Sequence, residues 1–329
     1  MKHVTIFVPK GISILSSVVG PYKVFTRVNQ MLVQKGLQPF YQVEVVGTEL
    51  TNLQYDDIFA INCEKTFDQI DNTDLIVIPA CQPECLPDML RDNDKAIKWI
   101  RDMHLLKGTE IASLCVGAFF LASTGLINGK QCATHWAAAD SFRMMFPDVN
   151  LVDSNIIVDT DGLYSSGGAY SFLNLLIHLV EKFNGKEIAV LLAKQFQIEY
   201  SRDNQNQFAM FFGQKQHDDQ DVLKTQLYIE SNFQDKISVD ELANMAAVSK
   251  RNFIRRFKSA TSNTPLEYIQ KVKIEAAKRQ FETENLGVND VMYSVGYNDG
   301  KSFRELFRRI TGLSPNDYKL RYNRATVAV

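Results

Sequence analysis

Short apolar runs alternate with amphipathic stretches up to about residue 196; beyond that the runs stop and helical spacing takes over. Residues 3–9 and 41–47 are rich in β-branched side chains, and residues 74–79 and 109–115 are nearly continuous apolar runs of the kind buried in a parallel sheet. Between them lie helical patterns. Residues 16–34 carry Val19, Val24, Val28, Met31 and Leu32 on one face, and residues 94–106 turn Ile97, Ile100 and Leu105 inward. The run 109–115 passes directly into a helix that stops at Gly125, and residues 135–146 are helical again. Residues 156–159 and 163–166 read as a hairpin around Asp161-Gly162, followed by helices over 169–183 and 186–196. Strands alternating with helices predict a layered α/β domain over residues 1–195.

Residues 196–219 are polar apart from Phe208, Phe211 and Phe212, and read as a linker or docking segment. Residues 220–325 then show helices alone. After a helix over 221–231, a short helix with Asp240 as its cap carries Leu242, Met245 and Ala246 inward. The chain breaks at Ala247-Val248, and Ser249 can cap a second helix running to about residue 259. That helix buries Phe253 and Phe257 and exposes Lys250, Arg251, Arg255 and Lys258. Two short helices joined by a tight turn, the second one basic, form a helix-turn-helix. Pro265 starts a long helix over 266–281, and the logic then recurs. Val288, Val291 and Met292 brace a break at Gly296-Tyr297, and residues 301–310 bury Phe303, Leu306 and Phe307 while exposing Arg304, Arg308 and Arg309. The two stretches align at an offset of 50 residues through Phe253/Phe303, Phe257/Phe307, Pro265/Pro315 and Tyr268/Tyr318. Such a repeat can present two recognition helices to one face of DNA about 34 Å apart.

Charge sharpens this division. Residues 221–329 carry 18 basic and 13 acidic side chains, whereas residues 1–220 carry 18 basic and 25 acidic ones, a net of -7. A basic module joined to an acidic one fits a part that faces nucleic acid and a part that does something else. The five cysteines suit neither a disulfide framework nor a zinc site, so no metal and no cofactor is expected. The first residues already read as a strand, and no run of 18 apolar residues exists. A cytoplasmic chain without membrane partners is expected.

The chemistry concentrates at Ser113-Leu114-Cys115-Val116-Gly117. A cysteine where a central strand turns into a helix, with glycine two residues on, has the form of a nucleophile elbow. The helix N-terminus is expected to lower the thiol pKa, and Thr134-His135-Trp136 places an imidazole within reach of it. The same residues also read as one buried cysteine among five and a histidine capping a helix.

Residues 1–195 resemble the DJ-1/PfpI branch of the class I glutamine-amidotransferase-like superfamily, on ASLCVGAF (112–119), LASTGLINGK (121–130), THW (134–136), FPDV (146–149) and SSGG (165–168). The resemblance implies a flavodoxin-like sandwich with the elbow cysteine facing a pocket, lined by Cys115, Val116, Gly117, His135 and Trp136. Enzymes of that family need a carboxylate as a third residue, and in many a glutamate follows the first strand. Here residues 10–22, KGISILSSVVGPY, contain no acid. The domain is therefore expected to hold a small molecule without reacting with it. If it is an enzyme, Cys115 and His135 are its catalytic pair, in a hydrolase or amidotransferase reaction. A third reading makes Cys115 a redox sensor.

Residues 220–325 resemble the DNA-binding domain of AraC/XylS transcription regulators, most closely in GYNDGKSFRELFRRITGLSPNDY (296–318). That resemblance implies promoter binding at direct-repeat half-sites, with Arg251, Ile254 and Arg255 facing bases in the first unit and Lys301, Arg304 and Glu305 in the second. Ile254 can read only an apolar feature such as a thymine methyl, and Glu305, standing where a basic residue is common, can accept from cytosine N4 but repels phosphate. Arg256, Lys258, Arg308 and Arg309 are expected on phosphates, which position without specifying. The fusion is a known regulator architecture, some of whose members respond to amines, amino acids or quaternary ammonium compounds. It implies an amine or amino-acid-like effector, with Trp136 as a wall for a cation, and a homodimer that also meets RNA polymerase.

Overall fold

A computed structural model describes residues 1–200, 202 and 204–323. Arg324 and Ala325, at the end of the expected helical domain, lie outside the described residues. The chain forms two compact units, Met1–Gln205 and Asn206–Val329.

The first unit is built on β1 (Lys2–Val8), β2 (Tyr41–Gly47), β3 (Thr51–Gln54), β4 (Phe59–Asn62), β5 (Lys65–Thr66), β6 (Leu75–Ile78), β7 (Glu110–Ser113), β8 (Gln131–Cys132), β9 (Asn150–Leu151), β10 (Ile157–Thr160) and β11 (Leu163–Ser166). Seven of these form one sheet in the order β10-β11-β7-β6-β1-β2-β5, parallel except for β10, which pairs antiparallel with β11. The turn between those two strands has positive φ at Asp161 and Gly162, as an Asp-Gly hairpin of this length requires. The helices are α1 (Leu15–Gln34), α2 (Leu86–Asp92), α3 (Asp94–Lys107), α4 (Ala118–Ser123), α5 (Ala139–Met145), α6 (Phe172–Asn184) and α7 (Lys186–Phe196).

Two cores cover the two faces of the sheet. On one, Val24, Phe25 and Val28 of α1 and Leu175, Leu176 and Leu179 of α6 meet Val4, Ile6 and Val77. On the other, Ile100 of α3, Phe119 and Phe120 of α4 and Phe142 of α5 meet Phe7, Ile76 and Ile78. Two of the expected inward residues point out, because each lies off the buried stripe of its helix. Val19 and Leu105 are exposed, and Ala96, Ile100 and Met103 are the buried residues of α3.

The hairpin β3–β4 was not foreseen and inverts the usual polarity. Asn52 and Gln54 are buried and bind the backbone at Pro9, Gly11 and Ser13, whereas Leu53, Ile58 and Phe59 are exposed. At its tip Tyr55, Asp56 and Asp57 all take positive φ.

The second unit holds α8 (Gln220–Ser231), α9 (Val239–Met245), α10 (Lys250–Thr261), α11 (Pro265–Thr283), α12 (Val288–Ser294), α13 (Gly300–Thr311) and α14 (Pro315–Tyr322). The cap of α9 is Ser238, in a capping box with Glu241, and not Asp240, which lies inside the first turn. On α8, Leu227 and Tyr228 are largely exposed while Val222 and Ile229 are buried. Helix α11 runs between two small cores, one around Phe253, Phe257 and Tyr268 and the other around Phe303, Phe307 and Tyr318.

Candidate cavity site and nucleic-acid interface

The loops after β1, β6 and β7 diverge at the carboxyl ends of those strands, where an open α/β sheet presents its crevice. A cavity of about 560 Å³ opens there, lined by Ile14 from the first loop and Ser16 and Ser17 from the first turn of α1, Cys81 and Glu84 from the second loop, and Cys115 and Val116 from the third. Phe119, His135, Ala169, Tyr170 and Phe172 also contribute to its wall.

Cys115 takes φ +55, the strained left-handed turn of an elbow. Its N–H donates to Ser166 Oγ (3.1 Å), and its carbonyl accepts from Thr134 Oγ1 (3.0 Å). The helical turn that follows presses onto β6. A Cβ at Gly117 would stand 2.6 Å from the Pro79 carbonyl oxygen and 2.8 Å from that of Ile78, so no other residue fits without moving backbone. The thiol does not behave as the elbow predicts. Burial pushes its pKa up, and this outweighs the backbone hydrogen bonds from Ala169 and Val116 that favour the thiolate. Cys81, on the same cavity wall, is pushed up to about 12 by burial.

His135 lines the cavity with a lowered pKa, again through burial, and is therefore neutral at pH 7. Its Nδ1 accepts a hydrogen bond from the Ala137 N–H (3.0 Å), which leaves the proton on Nε2. A backbone amide thus occupies the position where a catalytic histidine needs a carboxylate to orient it.

Gly117 and Trp136 do not line the cavity. Gly117 faces the carbonyls of Ile78 and Pro79, and the Trp136 ring lies tilted beside the imidazole with ring centroids 5.2 Å apart. The aromatic wall comes instead from Phe119, Tyr170 and Phe172, and the carboxylate is that of Glu84. Spacing in the sequence missed Gln205. It is buried, its Nε2 donates to the Thr134 and Asp153 carbonyls (2.8 Å each), and its Oε1 accepts from Gly168 N–H (2.9 Å). It therefore fixes both the residue before His135 and the glycine against which His135 rests, and no motif around it announces that role.

In the second unit the 50-residue repeat extends to individual hydrogen bonds. Thr261 Oγ1 donates to the Phe257 carbonyl (2.8 Å) and accepts from Asn263 N–H (3.2 Å); Thr311 does the same with Phe307 and Leu313 at the same distances. Tyr268 OH donates to Glu230 (2.7 Å) and Tyr318 OH to Glu282 (2.5 Å). The turns differ. Ala247 (φ +53) precedes its cap Ser249 by two residues, whereas Gly296 (φ +74) precedes its cap Asp299 by three. The second turn is anchored by buried Lys273 of α11, whose Nζ donates to the carbonyls of Val295 (3.0 Å) and Asp235 (3.3 Å).

On the outward faces, Arg251, Arg255 and Lys258 of α10 are exposed and Ile254 is half-buried; Lys301, Arg304, Glu305 and Arg308 of α13 are exposed. Arg255 reaches Asn252 Oδ1 (2.9 Å). The exposed Arg309 donates to Gln270 Oε1 of α11 (2.8 Å). The guanidinium of Arg256 grips Asp219 with two hydrogen bonds (2.8 and 2.6 Å) and Asp221 with a third (2.9 Å).

The sequence profile of the DJ-1/PfpI family matches residues 2–182, and that of a helix-turn-helix domain matches residues 242–321. The chain belongs to the DJ-1/PfpI family. Joined to its DJ-1/PfpI domain is a helix-turn-helix domain of AraC/XylS type. Among curated relatives, the HTH-type transcriptional regulator GbdR of Pseudomonas aeruginosa is 25% identical over 215 residues, covering 64% of this chain and 58% of the relative. ArgR of the same species, also an HTH-type transcriptional regulator, is 26% identical over 211 residues, covering 64% of each. These alignments thus leave more than a third of each relative unmatched. A crystal structure of a protein from Vibrio parahaemolyticus superposes with a TM-score of 0.52 at 21% identity, covering 59% of this chain and 98% of that one, and so shares its fold over that part. Among the described residues, no helix is long and apolar enough to cross a membrane, and no group of three or more His, Cys, Asp or Glu side chains is placed to hold a metal ion.

Proposed function

We propose that this chain is a sequence-specific DNA-binding transcription regulator whose DJ-1/PfpI domain binds a small molecule and does no chemistry on it. The observation that carries the reading is the conjunction, in one chain, of a repeated helix-turn-helix with basic outward faces and an elbow cavity whose thiol stays protonated. Regulators such as GbdR and ArgR, which match across most of this length, support it. Arg251, Ile254, Arg255, Lys301, Arg304 and Glu305 face bases in this reading, and Lys258, Arg308 and Arg309 meet phosphates.

A carboxylate at Glu84 lining the same cavity as Tyr170 and Phe172 favours a small cation, such as an amine or an amino-acid-like molecule, as the effector. The protein acts in the cytoplasm as a homodimer on promoter direct repeats, in contact with RNA polymerase. Effector binding shifts the population between DNA-competent and DNA-incompetent arrangements.

The test is selection of duplexes from a random-sequence pool by the full chain, followed by footprinting and a salt titration. Enrichment of a two-part site with steep salt dependence is expected; failure to enrich any site would end the proposal. The hydrolase reading needs a carboxylate on His135 Nδ1 and a thiolate at Cys115, and both observations run against it.

A further inference from the structure

We infer that residues 206–219 are a strap belonging to the DNA reader, and that Arg256 is a positioning residue tying the first recognition helix to that strap rather than a phosphate contact. The inference rests on the DNA-binding reading above for its consequence, but the strap itself stands on contacts within the second unit.

The composition of this stretch reads as a linker or docking segment, and its backbone is engaged at Gln207, Ala209, Phe211 and Gln214. Tyr322 OH of α14 donates to the Gln207 carbonyl (3.3 Å), and Arg321 reaches the Gln207 side chain. Lys278 of α11, itself buried, donates to the Ala209 carbonyl (2.6 Å), and the Phe211 N–H donates to Glu275 Oε2 (3.2 Å). The Phe211 ring then meets Tyr268 edge-on at 5.0 Å, inside the first helix-turn-helix core. Gly213 passes so close that a Cβ would stand 2.2 Å from the Tyr268 hydroxyl, at a φ of +71 that a side chain would strain. Gln226 of α8 donates to the Gln214 carbonyl (2.8 Å), and Asn263, in the loop after α10, donates to the Gln214 side chain (3.0 Å). The strap ends at Asp219, which caps α8 and takes the bidentate grip of Arg256 from α10.

In fourteen residues the strap thus touches α14 of the second helix-turn-helix, the connecting helix α11, and α8 and α10 of the first. Such a segment fixes the geometry between two recognition helices that must meet half-sites at set spacing.

The test uses the full chain, a duplex selected by it from a random-sequence pool, and the variants Asp219→Asn, Arg256→Gln and the double variant. Asparagine still caps α8, so the first substitution removes the charge and little else. Each single variant is expected to weaken specific binding about tenfold, from loss of a charge-assisted bidentate pair. The double variant should be no weaker than either, and the dependence of log affinity on log salt should be unchanged. Arg256→Gln alone lowering that slope by about 0.9, the signature of one lost phosphate contact, would overturn the inference, as would losses that multiply in the double variant. A second readout needs no DNA: amide hydrogen exchange in residues 250–261 should quicken in Asp219→Asn. Unchanged exchange there would overturn the strap, whereas quickened exchange in a chain that selects no duplex would overturn only the DNA-binding reading.

Discussion

The imidazole of His135 rests against bare backbone at Gly168: a Cβ built there would lie 2.2 Å from Cδ2 and 2.6 Å from Cγ of the ring. Gly168 has φ -76 and ψ 165, which any residue can adopt, so the requirement for glycine is one of space alone. Gly168→Ala should therefore fold and push the ring out of its half-buried seat. Because burial is what lowers the His135 pKa, the variant should titrate closer to about 6.5, the ordinary histidine value. NMR titration of the His135 ring protons checks this, and a titration identical to the parent's would show that the ring had not moved. Gly117→Ala makes the useful contrast. Its methyl would meet the backbone carbonyls of Ile78 and Pro79, which do not swing away, so its loss of stability should exceed the roughly 1–3 kcal/mol typical of overpacking a core.

Cys115 should be slow to alkylate. Burial raises its pKa above the ordinary value, so the thiolate, the only good nucleophile, is scarce at pH 7. The rate of iodoacetamide modification should still be climbing at pH 9, where a free cysteine has begun to level off. A plateau below pH 8 would restore the reactive elbow. The sign for stability follows from the same shift. The folded state holds these protons more tightly than the unfolded chain, so the contribution is complete below the unfolded thiol pKa of about 8.5. It is lost as pH rises through the folded values, which reach about 12 at Cys81 and Cys132.

Period and composition made much of this molecule legible. The core strands, the Asp161-Gly162 turn, the elbow and the repeated helix-turn-helix all follow from local patterns that tertiary packing reinforces. What was hidden depends on partners distant in sequence. The hairpin at 51–62 escaped because Asn52 and Gln54 point inward to meet backbone at residues 9–13, the reverse of what alternation normally signals. Gln205 and Lys273 look like ordinary surface residues until the carbonyls they satisfy are brought to them by the fold. Cys115 shows the opposite error. A motif predicted an activated thiol, and burial, which a local motif does not encode, decided otherwise.

The two helix-turn-helix units should unfold as separate cores joined by α11. Phe253 and Phe303 occupy equivalent places, both fully buried, in clusters that share no residue. Each Phe→Ala substitution should cost about 3–5 kcal/mol. With no common neighbour the two costs should add to within about 0.5 kcal/mol in the double variant. Urea unfolding of the full chain measures them, and a double variant markedly more stable than the sum predicts would show that the cores are coupled through the connecting helix.

The two recognition helices should differ in what they contribute to DNA affinity. On α10 the exposed Arg251 and Arg255 flank a half-buried Ile254, and nothing acidic stands among them. On α13 the exposed Glu305 follows Arg304 directly and faces the same solvent. A carboxylate there repels phosphate at every site and can be repaid only where it accepts from a cytosine N4. Arg255→Ala should cost about 1–3 kcal/mol on the selected duplex and relax preference at one base position, with nonspecific binding little changed. Lys258→Ala should instead weaken all duplexes alike and reduce the salt slope by about one. Glu305→Gln should strengthen binding to random duplexes while narrowing the gap to the selected one. Competition titrations at two salt concentrations separate these outcomes. If Arg255→Ala weakened selected and random duplexes equally, Arg255 would belong with the phosphate contacts, and base reading by the first unit would fall to Arg251 and Ile254.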